Sequence, residues 1–326
     1  MSLPTDTSLL LTGGTGSFGR AFLARALNSA HPPRKLRVFS RDEFKQSELA
    51  RSYPRDRFPQ LEWVLGDVRD PQALARACRG IDVVVHAAAL KQVPTGEIHP
   101  DEFILTNIGG ARNLVAAAQS AGVQQVLALS TSKAVAPLNL YGATKLCADK
   151  LFLAANEPSG RCRFSVLRCG NLFASRGSVV PLFLELRSTG RLPVTHPDMT
   201  RFHITLERMG QLVMRCLELM QGGEIFVPAS PTYRIVDLAR AIGPECAIDW
   251  IGIRPGEKLH EEMIAAADAP FTRRREDLFV QLSPLLPHLQ TAYADWEAVP
   301  DPFSYSSETN SDRLDVNQLA ELVSRL

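Results

Sequence analysis

Tyr141 and Lys145 stand four residues apart in LYGATKL, a spacing that puts both side chains on one helical face. A phenol ordinarily keeps its proton up to about pH 10, so near neutrality it is a base only beside a cation that favours the phenolate. A lysine one turn away supplies that cation and can also hold a ribose hydroxyl. Thr131, ten residues before Tyr141, closes an apolar run and can donate to the same substrate oxygen. Ser132 and Lys133 follow at once, adding a second hydroxyl and a second amine. YxxxK alone is common by chance; the set gains weight from what precedes it.

Near the start, TGGTGSFG follows the apolar run 8–12 and opens an amphipathic stretch. Gly13, Gly16 and Gly19 recur at every third position, with Thr15, Ser17 and Phe18 among them. Glycines there permit a tight turn, close approach of the backbone to a pyrophosphate, and close helix–strand packing at a helix N-terminus. A strand before and a helix after make this a dinucleotide-binding loop rather than a merely flexible one. At the end of the second strand, an acid would bond a ribose 2′-hydroxyl and repel a 2′-phosphate. Ser40 and Arg41 stand there instead, with Lys45 one turn on, which favours NADP over NAD although Asp42 and Glu43 lie beside them. Asp67 and Val68, in GDVRD, suit a contact to the adenine edge; an acid capping the next helix fits equally well.

These groups need a scaffold. Strands are expected at 8–12, 36–40, 61–66, 81–87, 124–130, 163–169 and 224–230. Helices are expected at 18–29, 42–51, 71–78, 101–121, 139–155, 205–221, 234–242 and 314–325. Nearly continuous Val, Leu and Ile in the strands means burial on both faces, hence a parallel sheet between two helical layers. The fold class expected is α/β, a doubly wound parallel sheet (Rossmann) with right-handed crossovers. It would occupy residues 1–170, joined by about 205–243. A smaller discontinuous C-terminal substrate lobe would come from 171–204 and 244–300, and 301–326 would form a closing loop and helix.

Composition sets outer bounds. The 326 residues are 45% hydrophobic and 22% charged, ordinary for a globular enzyme. A net charge of +1 gives no electrostatic reason to expect nucleic acid or an anionic membrane as partner. No run approaches the roughly 20 apolar residues of a membrane helix, and the N-terminus lacks a basic signal-peptide region. The six cysteines are scattered without CxxC or metal-ligand spacing, so no metal and a reduced, cytoplasmic setting are expected. His86, at the end of an apolar strand, reads as a hydrogen-bonded core histidine.

The motifs TGGTGSFG, SRDEFKQ, GDVRD, HAAALKQVP, TNIGGARN, STSKAVAPLNLYGATKL, CGNLFASRGSVVPLF, MTRF and RPGEKLHEEM run through nearly the whole chain. Together they resemble an extended short-chain dehydrogenase/reductase, specifically the inverting UDP-N-acetylglucosamine 4,6-dehydratases. The resemblance implies that Tyr141 takes the O4 proton as hydride leaves C4 for the nicotinamide, and that Lys145 supports Tyr141. Lys133 would remove the C5 proton, acidified by the 4-ketone. Ala87, Ala88, Lys91 and Asn107 are implied at the cofactor. Lys91, Asn171, Arg176, Ser178, Val179, Thr195, Arg201, Arg254 and Glu257 are implied around a UDP-linked amino sugar. Arginine, a planar bidentate donor, suits a diphosphate. Homo-oligomerisation is implied by the family alone.

One position departs from the pattern. In that family an aspartate between the threonine and the lysine protonates the departing C6 hydroxyl; here the residue is Ser132, far too weak an acid at neutral pH. Three outcomes stay open. Elimination could proceed with help from Lys91, Glu97 or water. C4 oxidation could be followed by epimerisation without loss of water. An altered elimination, for example 5,6, could end the reaction. Retention of Lys133 argues for chemistry at C5 and favours the dehydratase. A non-catalytic NADP-binding protein is least favoured, having no use for Thr131, Lys133, Tyr141 and Lys145 together.

Overall fold

The computed structural model describes residues 6–157 and 160–326; the first five residues of the N-terminal segment read above lie outside it. Strands β1 (Ser8–Thr12), β2 (Lys35–Ser40), β3 (Leu61–Leu65), β4 (Val83–His86), β5 (Gln125–Thr131) and β6 (Arg163–Cys169) pair in parallel, in the order β6-β5-β4-β1-β2-β3. Both faces are buried: Leu9 and Leu11 pack into one apolar cluster with Phe22 and Met209, and Leu10 into another with Leu114 and Phe152. Alternate side chains of one strand serve two helical layers, as continuous apolar strands require.

Helices α1 (Ser17–Leu27), α2 (Glu43–Ala50), α3 (Pro71–Cys78), α4 (Val93–Ile98), α5 (Pro100–Phe103), α6 (Gly110–Ala121) and α7 (Leu140–Ala154) occupy the crossovers. Asp70, not Asp67, caps α3, accepting from the amides of Gln72 and Ala73. The helix expected over 101–121 is broken by a π-helical turn at Ile104–Gly109. Such turns push side chains out of the regular row. Here Asn107 is turned inward, its Oδ1 accepting from Leu90 N at 2.9 Å and its Nδ2 donating to Leu90 O and Thr144 Oγ1, both at 3.0 Å.

Past Cys169 the chain forms β7 (Asn171–Leu172), α8 (Val179–Leu186), β8 (Arg191–Val194), β9 (Thr200–Ile204) and α9 (Leu206–Leu219). Then come β10 (Ile225–Pro228), β11 (Thr232–Arg234), α10 (Ile235–Ile242), β12 (Ala247–Trp250) and β13 (Glu262–Ile264). The chain ends with β14 (Thr272–Arg275), β15 (Leu278–Gln281), α11 (Pro287–Ala292), β16 (Glu297–Ala298), β17 (Tyr305–Ser306) and α12 (Val316–Ser324).

β10 joins the sheet parallel to β6, and β15, β14 and β16 extend it antiparallel to a ten-stranded sheet. The stretch 272–298, expected in the substrate lobe, therefore belongs to the sheet. α10 and α12 depart from expectation the other way. Leu238 and Leu319 are both fully buried in a third cluster with Phe183, Leu192 and Tyr233, so both helices close the core of the lobe. No helix among the described residues is long and apolar enough to cross a membrane.

Candidate active site

The strand order reverses beside β1, which opens a crevice past the carboxyl ends of β1 and β4. Thr12 Oγ1 accepts from the amides of Ala87 at 3.2 Å and Ala88 at 3.3 Å. A hydroxyl has one proton, so that of Thr12 goes to His86 Nδ1, 2.8 Å away. Burial, aided by Lys145, depresses His86 to about 3, so it is a neutral core histidine. Gly13 has φ +69, and a Cβ on it would stand 2.7 Å from Ala88 N. Gly16 is the N-cap of α1 with no side chain over the first turn, which leaves amides free for an anion. Only backbone fills this cradle, and a dinucleotide pyrophosphate fits it. Thr15 accepts through its carbonyl from Arg20 at 3.2 Å. Phe18 is buried, stacked on Phe22.

The residues expected at the 2′ position divide. Ser40 is buried, its Oγ accepting from Gln46 Nε2 at 2.9 Å. Lys45 is ion-paired with Asp42, the N-cap of α2, so its charge is largely engaged. Arg41 is half-exposed and only 4.0 Å from Asp67, which is bound more closely by Arg69 at 2.7 Å. Val68 is buried against Gly110. Arg176, expected at the diphosphate, is not among the residues that line the cavity described below. Its amide donates to Ser17 Oγ at 3.0 Å, and its charge helps Lys45 depress the Asp42 carboxyl, so it sits at the glycine loop and α2.

A cavity of about 640 Å³ opens where the sheet meets the lobe, with Thr131, Lys133 and Tyr141 on its wall. That volume suits a small-molecule site. The Thr131 hydroxyl beside Tyr141 favours the phenolate, but burial outweighs it and the phenol sits above its ordinary value. Lys145 is buried and donates to Leu129 O at 2.7 Å. Lys91 also lines the cavity, its pKa lowered by burial and by the nearby Lys133. Glu97 faces elsewhere, accepting from Leu140 N at the start of α7. Asn107 braces Leu90 against α7 from behind.

The lobe contributes the rest. Asn171, Ser178, Val179 and Thr195 line the cavity, and Asn171 Oδ1 and Ser178 Oγ are buried without a protein partner. Arg254 forms a bidentate pair with Glu257 at 2.9 and 3.0 Å, and buried Arg201 lies 3.5 Å from the same carboxylate. Sequence reasoning did not single out Glu261. Its side chain is 1% exposed, and its Oε1 accepts from Lys133 Nζ at 2.5 Å. Its Oε2 accepts from Ser132 Oγ at 2.9 Å. The only signal was its place in RPGEKLHEE, a motif from which only Arg254 and Glu257 were taken.

The family of polysaccharide biosynthesis proteins matches residues 9–282. The chain is 44% identical to the UDP-N-acetylglucosamine 4,6-dehydratase (inverting) of Campylobacter jejuni serotype O:2, over 97% of each protein. The chain belongs to this dehydratase family. Its fold agrees. The X-ray structure of Pen from Bacillus thuringiensis matches this dehydratase-family chain with a TM-score of 0.89 at 32% identity, covering 98% of this chain and 99% of that one. A UDP-glucose 4-epimerase of Rickettsia akari is 43% identical over 81% of this chain and 79% of its own. The dehydratase family member is thus an enzyme of the extended short-chain dehydrogenase/reductase type, related to both eliminating and epimerising enzymes.

Proposed function

We propose that this dehydratase-family enzyme oxidises C4 of a UDP-linked N-acetylhexosamine, eliminates water across C5 and C6, and inverts C5, with NADP as its hydride carrier. The observation that carries the reading is the grouping of Thr131, Tyr141 and Lys133 on one wall of a cavity that also holds Arg201 and Arg254. The glycine loop around Gly13 and Gly16 would hold NADP, which would supply the hydride exchange at C4 and C6. Tyr141, oriented by Thr131, takes the O4 proton, and Lys133 takes the C5 proton that the new ketone acidifies. The arginines suit the diphosphate, and the unpartnered Asn171 Oδ1 and Ser178 Oγ offer hydrogen bonds to the rest of the ligand. NADP is preferred to NAD because β2 ends in Ser40 and Arg41 without an acid. The amino sugar is supported by the name of the Campylobacter relative, and homo-oligomerisation by family likeness alone.

A UDP-sugar epimerase is the second reading, favoured by Ser132 and by the epimerase relatives. Mass spectrometry after incubation with UDP-N-acetylglucosamine and NADP separates the two. A product lighter by one water is expected. An isomer of unchanged mass would establish the epimerase, and no turnover would overturn both.

A further inference from the structure

Glu261 has no part in the roles above, yet its carboxylate touches the reactive wall twice, at Lys133 and at Ser132. Its backbone is fixed from the other side. Glu261 N donates to Ser307 Oγ and Ser307 N donates to Glu261 O, both at 2.8 Å, beside the β13–β17 pair. Arg201 Nε lies 3.8 Å from Oε1. Lys258 and Tyr141 also feel its charge. Burying a carboxylate is costly unless it is paired, and an apolar contact would support the turn as well. Both side chains line the cavity, and Lys133 is the more open of the two, 21% exposed against 1% for Glu261. Ser132 is fully buried, and its short side chain ends on the Glu261 carboxylate.

We propose that Glu261 takes over the work of an acid at position 132, storing a proton while Lys133 acts first at C5 and then at the departing C6 hydroxyl. The proposal rests on the dehydratase reading. At rest the Glu261 carboxyl is ionised and pairs with Lys133: burial raises it, but Lys133, Arg201 and the bonds from Lys133 and Ser132 bring it down to about 2. The store therefore starts empty.

The protons balance. As the C5–H bond breaks, its electron pair enters the enolate of the 4-ketone. Its proton goes to Lys133 Nζ while Nζ passes one to Glu261 Oε1. The enolate then expels O6, which takes a proton from Nζ and leaves as water, and Oε1 returns its proton to Nζ. The pair ends as it began. Ser132 holds Oε2, which turns Oε1 toward Lys133. Glu261 acts through Lys133 and is a positioning residue rather than a group in contact with the sugar.

The test compares wild type, Glu261→Gln and Ser132→Asp/Glu261→Gln with UDP-N-acetylglucosamine and NADP, reading transient NADPH absorbance for C4 oxidation and dehydrated product for water loss. Glu261→Gln should keep C4 oxidation within a few-fold while losing water loss by on the order of 10²-fold. The double variant should recover at least about tenfold of it, because the acid is back between Thr131 and Lys133. Equal loss of both steps in Glu261→Gln, without rescue, would show a merely structural role and overturn the proposal. If Glu261→Gln fails to fold, Ser132→Ala keeps the carboxylate but frees Oε2, and unchanged water loss there overturns it. Wild type that turns over without dehydrated product overturns the reading beneath; wild type and Glu261→Gln that dehydrate equally fast overturn only the role of Glu261.

Discussion

Gly142 lies so close to Lys133 that a Cβ on it would stand 2.2 Å from the Lys133 carbonyl oxygen. The helix that carries Tyr141 and Lys145 is thereby seated on the turn that carries Lys133. The contact is with backbone, which cannot swing aside. Gly142→Ala is expected to push the turn away from α7 and to cost about 1–3 kcal/mol of stability, as overpacking does. A displacement of about 1 Å at a reacting group lowers turnover by about 10²-fold. Unchanged kcat and Tm would contradict the coupling.

Tyr141→Phe should abolish C4 oxidation and leave NADP affinity unchanged, because only the phenol oxygen is lost. Residual turnover within about tenfold of wild type would refute Tyr141 as the base. The pH dependence follows from the raised phenol. A base whose pKa lies above its ordinary value gains its active form as pH rises, so kcat for oxidation should climb through the alkaline range. The Thr131 bond opposes that rise in pKa, so Thr131→Val should move the limb to still higher pH. A shift to lower pH would contradict the geometry.

At the cofactor, Arg41→Ala should weaken NADP selectively, while Lys45→Ala should do less because Asp42 already engages that charge. Arg176→Ala should change NADP affinity and leave the KM for the nucleotide sugar near wild type. The reverse pattern, a raised sugar KM with normal NADP binding, would return Arg176 to the diphosphate.

Ser132→Asp in the wild-type background places a second carboxylate where the Ser132 hydroxyl now meets Glu261. Two like charges in contact cannot both ionise easily, so one should hold a proton near neutrality. Water loss should then quicken relative to C5 deuterium exchange, and the acid limb of the pH profile should move up. If neither changes, position 132 does not communicate with C6.

The parallel sheet was legible because runs such as SLLLT and IDVVVHA leave no polar face, and the glycine loop because its spacing follows a strand directly. Local patterns also placed α7 and its reactive pair. The antiparallel strands over 272–298 were not legible: RRRED is a run of charges with no strand pattern, and only pairing with β10 through β15 makes them sheet. The break at Asn107 depends on contacts with Leu90 and Thr144, which periodicity cannot show. Glu261 meets Lys133 across 128 residues, and Lys145 donates to a carbonyl of β5, a partner that its spacing from Tyr141 could not show. Spacing singled out residues that the fold gathers at one cavity, but the partners that surround them come from other elements.

The most direct measurement is NMR of the product formed from UDP-N-acetylglucosamine and NADP in deuterated water. The account predicts a 4-keto sugar with a C6 methyl group, one deuterium at C5 and the opposite configuration there. A product that keeps its C6 hydroxyl, or a C5 that retains its original proton and configuration, would contradict it.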